Sequence, residues 1–276
     1  MSDSSPPPLP PEILDYTLDF LYDDQVTLKH CCLASKSWLP RTRRHLFSKV
    51  TFRSAANLES WKQTFPDHSN SPACYTQILT VECPEAVKIA DGGEGGWIRA
   101  FSRAVRLNVH AERARGRRGI SLPSFSLIPF HGFSHVLKRL CIICAFLPNA
   151  QIFDLISTLP LLKDLFLFAD GLDGNTSDSD SDTSLTVLQD SPTLTGTLDL
   201  FILSGGIDAT ARRLLCLPNG LRLGGLTLSW SHEREAKWLN ALVAGCSDTL
   251  RHLGVDCFFR STLVSFRTTP AAHHGL

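Results

Sequence analysis

The sequence is short of what marks a membrane-spanning, exported or strongly charged chain. No run of about eighteen apolar residues occurs in its 276 positions, so no transmembrane helix and no membrane partner are expected. The opening residues MSDSSPPPLPP lack the basic stretch and apolar core that direct export. Lys+Arg and Asp+Glu are equal at 27 each, which leaves no bulk charge to draw the molecule onto nucleic acid, anionic lipid or an acidic substrate. Any electrostatic function has to be local.

Signatures of chemistry are missing as well. There is no G-x-S-x-G, no H-E-x-x-H and no nucleophile–base arrangement in the linear sequence. The segment Gly92-Gly93-Glu94-Gly95-Gly96 has neither the lysine and Ser/Thr of a P-loop nor the order of a dinucleotide fingerprint, and reads as a flexible turn. Cys141-x-x-Cys144 stands alone, where a structural zinc site takes two such pairs or a pair with nearby histidines. No catalytic residue, cofactor or metal is therefore expected, and an enzyme would need residues that converge only in three dimensions. Nine cysteines are an odd number in a chain without an export signal, so they are expected to be reduced and buried, in the cytoplasm or nucleus.

What is present begins with a hydrophobic fraction of 43%, enough to fill a core. After residues 1–8, read as a disordered lead, Pro10 and Pro11 sit where a helix starts without losing a needed N–H, with Glu12 beside the positive end of its dipole. Ile13, Leu14, Thr17, Leu18 and Leu21 recur at helical spacing. Asp23 and Asp24 end that helix and can cap a second one, in which Leu28, Cys31, Cys32 and Ser35 repeat the spacing. Pro40 restarts the chain before a third short helix ending in Leu46-Phe47. Three such helices bury too little apolar surface to stand alone and need another surface.

At this point the chain resembles the F-box family. Leu9-Pro10-Pro11-Glu12-Ile13-Leu14 is similar to that module's opening, Leu18 to Leu21 to its first helix, and Cys32-Leu33-Ala34-Ser35-Lys36-Ser37-Trp38 to its cysteine-to-tryptophan signature. Leu46-Phe47-Ser48-Lys49-Val50 is similar to its close, while Ala34 stands where the family more often has valine. The resemblance implies a three-helix module over residues 9–52 that binds a Skp1-like protein and, through it, a cullin-based ubiquitin ligase. Carried over by position, Leu9, Pro10, Ile13, Leu14, Leu33, Lys36 and Trp38 would form the Skp1 contact.

Beyond a connector at 53–74, a leucine, any residue and an aliphatic residue recur: Leu79/Val81, Leu107/Val109, Leu140/Ile142, Leu165/Leu167, Leu198/Leu200, Leu226/Leu228 and Leu253/Val255. Successive leucines lie 25 to 33 residues apart, near the leucine-rich-repeat period of roughly 20–29. Period-two alternation puts both aliphatic residues of each unit on one face of a strand. Helical patterns over 151–159 and 233–244 intervene. The region resembles the divergent leucine-rich repeats that often follow an F-box. The expected fold is thus α+β, an N-terminal three-helix F-box-like module followed by an α/β leucine-rich-repeat-like solenoid over 75–276. An ordinary α/β domain with parallel strands is the alternative.

Residues between the repeat leucines would meet an unidentified target protein, and Asn108, Phe166, Asp199 and Thr227 are the candidates. Residues 173–184 are acidic, small and polar, an expected disordered insertion whose Ser177, Ser179 and Ser181 alternate with aspartates as acidic-directed kinase sites do. Arg99, Arg103, Arg106, Arg113, Arg115, Arg117 and Arg118 form an opposite bias, either a phosphate-holding or nuclear-targeting cluster or a solvated loop. Only Phe101 lies among them as an aromatic, so nucleic-acid binding is not expected. The reading is a substrate-recognition adaptor and not an enzyme, with a freestanding repeat scaffold or a hydrolase on an α/β domain as the other candidates.

Overall fold

The computed structural model describes residues 10–67, 70–82, 96–111, 128–133, 135–144, 149–169, 194–202, 207–217, 220–230 and 236–257. The chain folds first as helices. α1 (Pro11–Phe20) starts on Pro11, with Glu12 in its first turn. α2 (Gln25–Ala34) is capped by Asp24, whose carboxylate accepts from the Thr27 backbone N–H at 3.0 Å and the Thr27 hydroxyl at 2.6 Å. α3 (Leu39–Leu46) carries Pro40 in its first turn and packs on α1 and α2.

Two residues later the chain enters β1 (Lys49–Phe52). α4 (Ala55–Thr64), capped by Ser54, and a 3-10 turn (Pro72–Tyr75) lead to β2 (Ile78–Val81). Then come α5 (Gly96–Arg99), β3 (Arg106–Ala111), a second 3-10 turn (Ile128–Phe133), β4 (Arg139–Cys144) and α6 (Asn149–Ser157). β5 (Asp164–Ala169), β6 (Thr197–Ile202), α7 (Ile207–Leu215), β7 (Gly225–Trp230), α8 (Ala236–Gly245) and β8 (His252–Cys257) complete the order. All eight strands join one parallel sheet in chain order, with β1 and β8 at its edges.

The register stacks two rows of aliphatic side chains on one face. One runs Val50, Leu79, Leu107, Leu140, Leu165, Leu198, Leu226, Leu253; the other runs Phe52, Val81, Val109, Ile142, Leu167, Leu200, Leu228, Val255. Ile98, Phe101, Ile152, Leu155, Leu214 and Leu242 from the intervening segments join the same core. Every member of the two rows is buried except those on β8, where Leu253 and Val255 are 51% and 42% exposed. Near β1 the core is aromatic: the Phe52 ring meets Trp61, Trp97 and Phe101 edge-on at 5.7, 5.7 and 5.9 Å. Each such pair adds about 0.5–1.5 kcal/mol beyond burial.

This register corrects the expected architecture. The class is α/β, a single all-parallel sheet with interleaved helices, and not α+β with a separate F-box-like helical module and a leucine-rich-repeat-like solenoid. β1 lies inside residues 9–52 and pairs directly with β2, so the helices lead straight into the sheet. Residues 53–74, read as a connector, hold α4 and the first 3-10 turn, with Leu58 and Ala73 fully buried in the core. The physical reason is that Leu-x-aliphatic marks a strand buried on one face and nothing more. Any parallel sheet with short crossovers generates its recurrence, and the uneven spacing follows crossover length. The lead 1–8 and the acidic segment 173–184, with Ser177, Ser179 and Ser181, lie outside the described residues.

The alternation makes a contrast measurable in urea. Leu165 is 1% exposed within the stack, whereas Phe166 is on the opposite face, half-buried against Phe201 at 5.3 Å. Leu165→Asp buries an unpaired carboxylate and is expected to cost several kcal/mol, comparable with the whole stability of a domain. Phe166→Asp loses one aromatic contact and should cost about 1–2 kcal/mol. Equal losses would contradict the register.

Candidate interaction surfaces

Among the described residues no group of three or more His, Cys, Asp or Glu side chains is placed to hold a metal ion. Two surfaces stand out instead, one on the N-terminal helices and one on the sheet face opposite the leucines.

The helices are held together by polar contacts. The Asp19 carboxylate on α1 accepts from Arg41 Nε at 2.7 Å and from the second guanidinium nitrogen, and lies 2.7 Å from His45 Nε2, both on α3. The Arg41 hydrogen bonds, helped by His45, hold the Asp19 carboxyl below its ordinary value against a smaller opposing effect of burial. Thr42, wholly buried, donates to the Trp38 carbonyl at 2.8 Å and accepts from the Cys32 thiol at 2.8 Å, tying α2 to α3.

With the helices fixed this way, α1 turns Leu18 inward and leaves an apolar stripe outside. Ile13, Tyr16 and Phe20 are exposed at 51%, 63% and 69%, and the rings of Tyr16 and Phe20 meet edge-on at 4.9 Å. Tyr22, Val26 and Leu33 continue the exposed apolar surface through the turn and α2, Leu33 at 87%. Six of the ten large apolar side chains exposed among the described residues therefore fall within residues 13–33. Such concentration makes this a candidate interaction surface. Of the residues expected to meet Skp1, Pro10, Ile13, Leu33 and Lys36 are exposed, Leu14 and Trp38 are half-buried, and Leu9 lies outside the described residues. Tyr16, Phe20, Tyr22 and Val26 were not among the expected contacts. Part of their signal was in the sequence, because Ile13, Tyr16 and Phe20 recur at three- and four-residue spacing along α1.

On the sheet, parallel register brings the four target-facing candidates, Asn108, Phe166, Asp199 and Thr227, into one row with Cys141 between the first two, as successive partners from β3 to β7. Asn108 is fixed by Arg106 Nε, which donates to its Oδ1 at 3.0 Å, and by its own Nδ2, which donates to Thr80 Oγ1 at 2.9 Å. Burial pushes the Cys141 thiol up to about 11, so it is a protonated packing group and not a nucleophile. A parallel row, His110, Ile143, Phe168 and Phe201, adds aromatic surface at the centre. Of the arginine cluster, Arg99, Arg103 and Arg106 are exposed, while Arg113, Arg115, Arg117 and Arg118 lie outside the described residues. Gly96 starts α5, and residues 92–95 also lie outside them.

No protein-family model matches the chain, and no curated protein matches it. No helix among the described residues is long and apolar enough to cross a membrane.

Asp19 gives this region a pH dependence of definite sign. A carboxyl held below its ordinary value of 3.8 contributes stability above that pH and loses it as pH falls through the lowered value. Asp19→Asn should therefore destabilise the chain near neutrality by about 1 kcal/mol or less, the side chain being partly exposed. The difference from the unaltered chain should shrink as pH falls below 3.8 and vanish once pH is below the lowered value. Thermal melts of both across that range check it.

Proposed function

We propose that the protein is a non-catalytic adaptor of a cullin-based ubiquitin ligase. Its N-terminal helices dock a Skp1-like protein, and the open sheet face takes the protein to be ubiquitinated. The observation that carries the reading is the exposed apolar surface over α1 and α2, which contains Ile13 and Leu33 from the segments similar to the F-box. An apolar surface of this kind costs solubility unless a partner covers it, and burying an anchor typically contributes more than ~1 kcal/mol. The sheet face supports the second half. Its half-buried aromatic centre of Phe166, Phe168 and Phe201 is flanked by Asn108 on one side and by Asp199 and Thr227 on the other, the apolar-core and polar-rim composition of a protein-binding surface. Ubiquitin transfer would then take place on other subunits, with no reacting group supplied by this chain.

Ile13→Ala with Leu33→Ala, both exposed, should leave the thermal midpoint of the free chain within about a degree, since surface changes seldom exceed half a kcal/mol. The same pair should weaken binding of a purified Skp1-like protein at least about tenfold, read by titration calorimetry of the full chain. Unchanged affinity, or no binding by the unaltered chain, would count against the reading.

A further inference from the structure

The edge of the sheet at which the strands begin is built on a repeated backbone device. The Ser48 carbonyl accepts from both Gln77 and Ile78 N–H, the Gln77 carbonyl from Val105 and Arg106, the Val105 carbonyl from Lys138 and Arg139, and the Lys138 carbonyl from Lys163 and Asp164, all at 2.8–3.0 Å. Each residue of that series is thereby stacked on the next at the strand spacing of about 4.8 Å. The result is a rigid floor with its backbone donors already satisfied, so that a ligand there would be chosen by side chains.

An open groove of about 610 Å³ lies along this edge, and its charge is of one sign. Arg44 reaches it from α3, Arg103 from the segment before β3, and His135 and Lys138 from the segment before β4. Among the described residues no carboxylate lines it. Among the described residues none of these four side chains is held in an ion pair, whereas Arg41, Arg53, Lys62 and Arg139 each have a carboxylate partner. In a chain with no net charge, three permanent cations gathered in one concavity are a local feature that focuses positive potential. The groove also exposes Val105 and Leu161, at 36% and 46%, between its cations. A second groove of about 470 Å³ adjoins it, sharing Arg44 and Gln77, but Asp19 and Asp23 line that one, so an anion's place is the first groove alone.

We propose that this groove binds an anionic peptide segment, with phosphoserine the side chain it fits best. The cations supply charge-assisted hydrogen bonds to phosphate oxygens, Arg44 and Arg103 in bidentate fashion and Lys138 as a point charge. Val105 and Leu161 take apolar side chains of the same segment. A single-stranded nucleic acid is disfavoured because it needs a row of aromatic platforms for its bases, and Tyr75 and His135 are the two aromatic rings among the lining residues. The site is separate from the α1–α2 surface and from the Asn108-to-Thr227 row, and does not depend on the ubiquitin-ligase reading.

The test is fluorescence anisotropy of the full chain with a labelled peptide carrying two phosphoserines and two leucines on a glycine–serine background. The probes beside it are its unphosphorylated counterpart, inorganic phosphate as competitor, and an oligothymidylate. Arg103→Glu with Lys138→Glu should weaken phosphopeptide binding about tenfold or more. Arg222→Glu with Arg251→Glu, the same charge change on exposed residues outside the groove, should alter it less than about twofold. The unphosphorylated peptide should bind about tenfold more weakly, and phosphate should compete. Arg103→Gln with Lys138→Gln should give an intermediate loss, and it carries the test if the reversed pair fails to fold. The proposal is overturned by no binding to the unaltered chain, by equal loss in the two reversed pairs, by equal binding of both peptides, or by tighter binding of the oligothymidylate.

Discussion

Parallel register on a shared hydrophobic face is the constraint from which the rest of this structure follows. Val50 through Leu226 and Phe52 through Leu228 can be buried only if each strand aligns residue for residue with the one before it, since a slip by one position would turn every leucine toward solvent. That alignment in turn sets the opposite face. Asn108, Phe166, Asp199 and Thr227 are distant in sequence, yet they stand in one row because the leucine before each of them stands in another. It also sets the edge, where one carbonyl after another accepts two N–H groups from the next strand and lines up Gln77, Val105 and Lys138.

The helices at the start of the chain obey a different logic. α1 mixes apolar residues with Glu12, Asp15 and Asp19, and it turns Leu18 in toward the helical bundle. Asp19, bound to Arg41 and His45, fixes which side that is. Ile13, Tyr16 and Phe20 remain outside, in the open, on an otherwise polar segment. The molecule thus presents an apolar helical surface, a mixed aromatic and polar sheet face, and a cationic edge groove.

Much of this was legible in the residues. Pro11 and Asp24 announce the starts of α1 and α2, and the structure places them at the first turn and the N-cap. The Leu-x-aliphatic units correspond to β2 through β8, with the residue between them on the far face. The fold class was misread because the same recurrence was taken as a repeat of separate units. It could not reveal that Lys49–Phe52, a segment with the look of a helical module's close, is the first strand of the sheet. Trp61, Trp97 and Phe101, which surround Phe52, belong to α4, to α5 and to the turn just after it, and no short-range period joins them. The groove was hidden for a related reason. Arg103 was visible as part of an arginine-rich stretch, but Arg44 reaches the groove from α3, and His135 and Lys138 join it only through the stacking of strands.

The central claim is that the exposed side of α1 and α2 exists to be covered by a Skp1-like protein. Hydrogen–deuterium exchange of the full chain, with and without that partner at saturating concentration, addresses it most directly. The account predicts slowed exchange in peptides spanning residues 11–34, with the strands from β2 to β7 unchanged. Unaltered exchange over 11–34, or protection confined to the sheet, would contradict it.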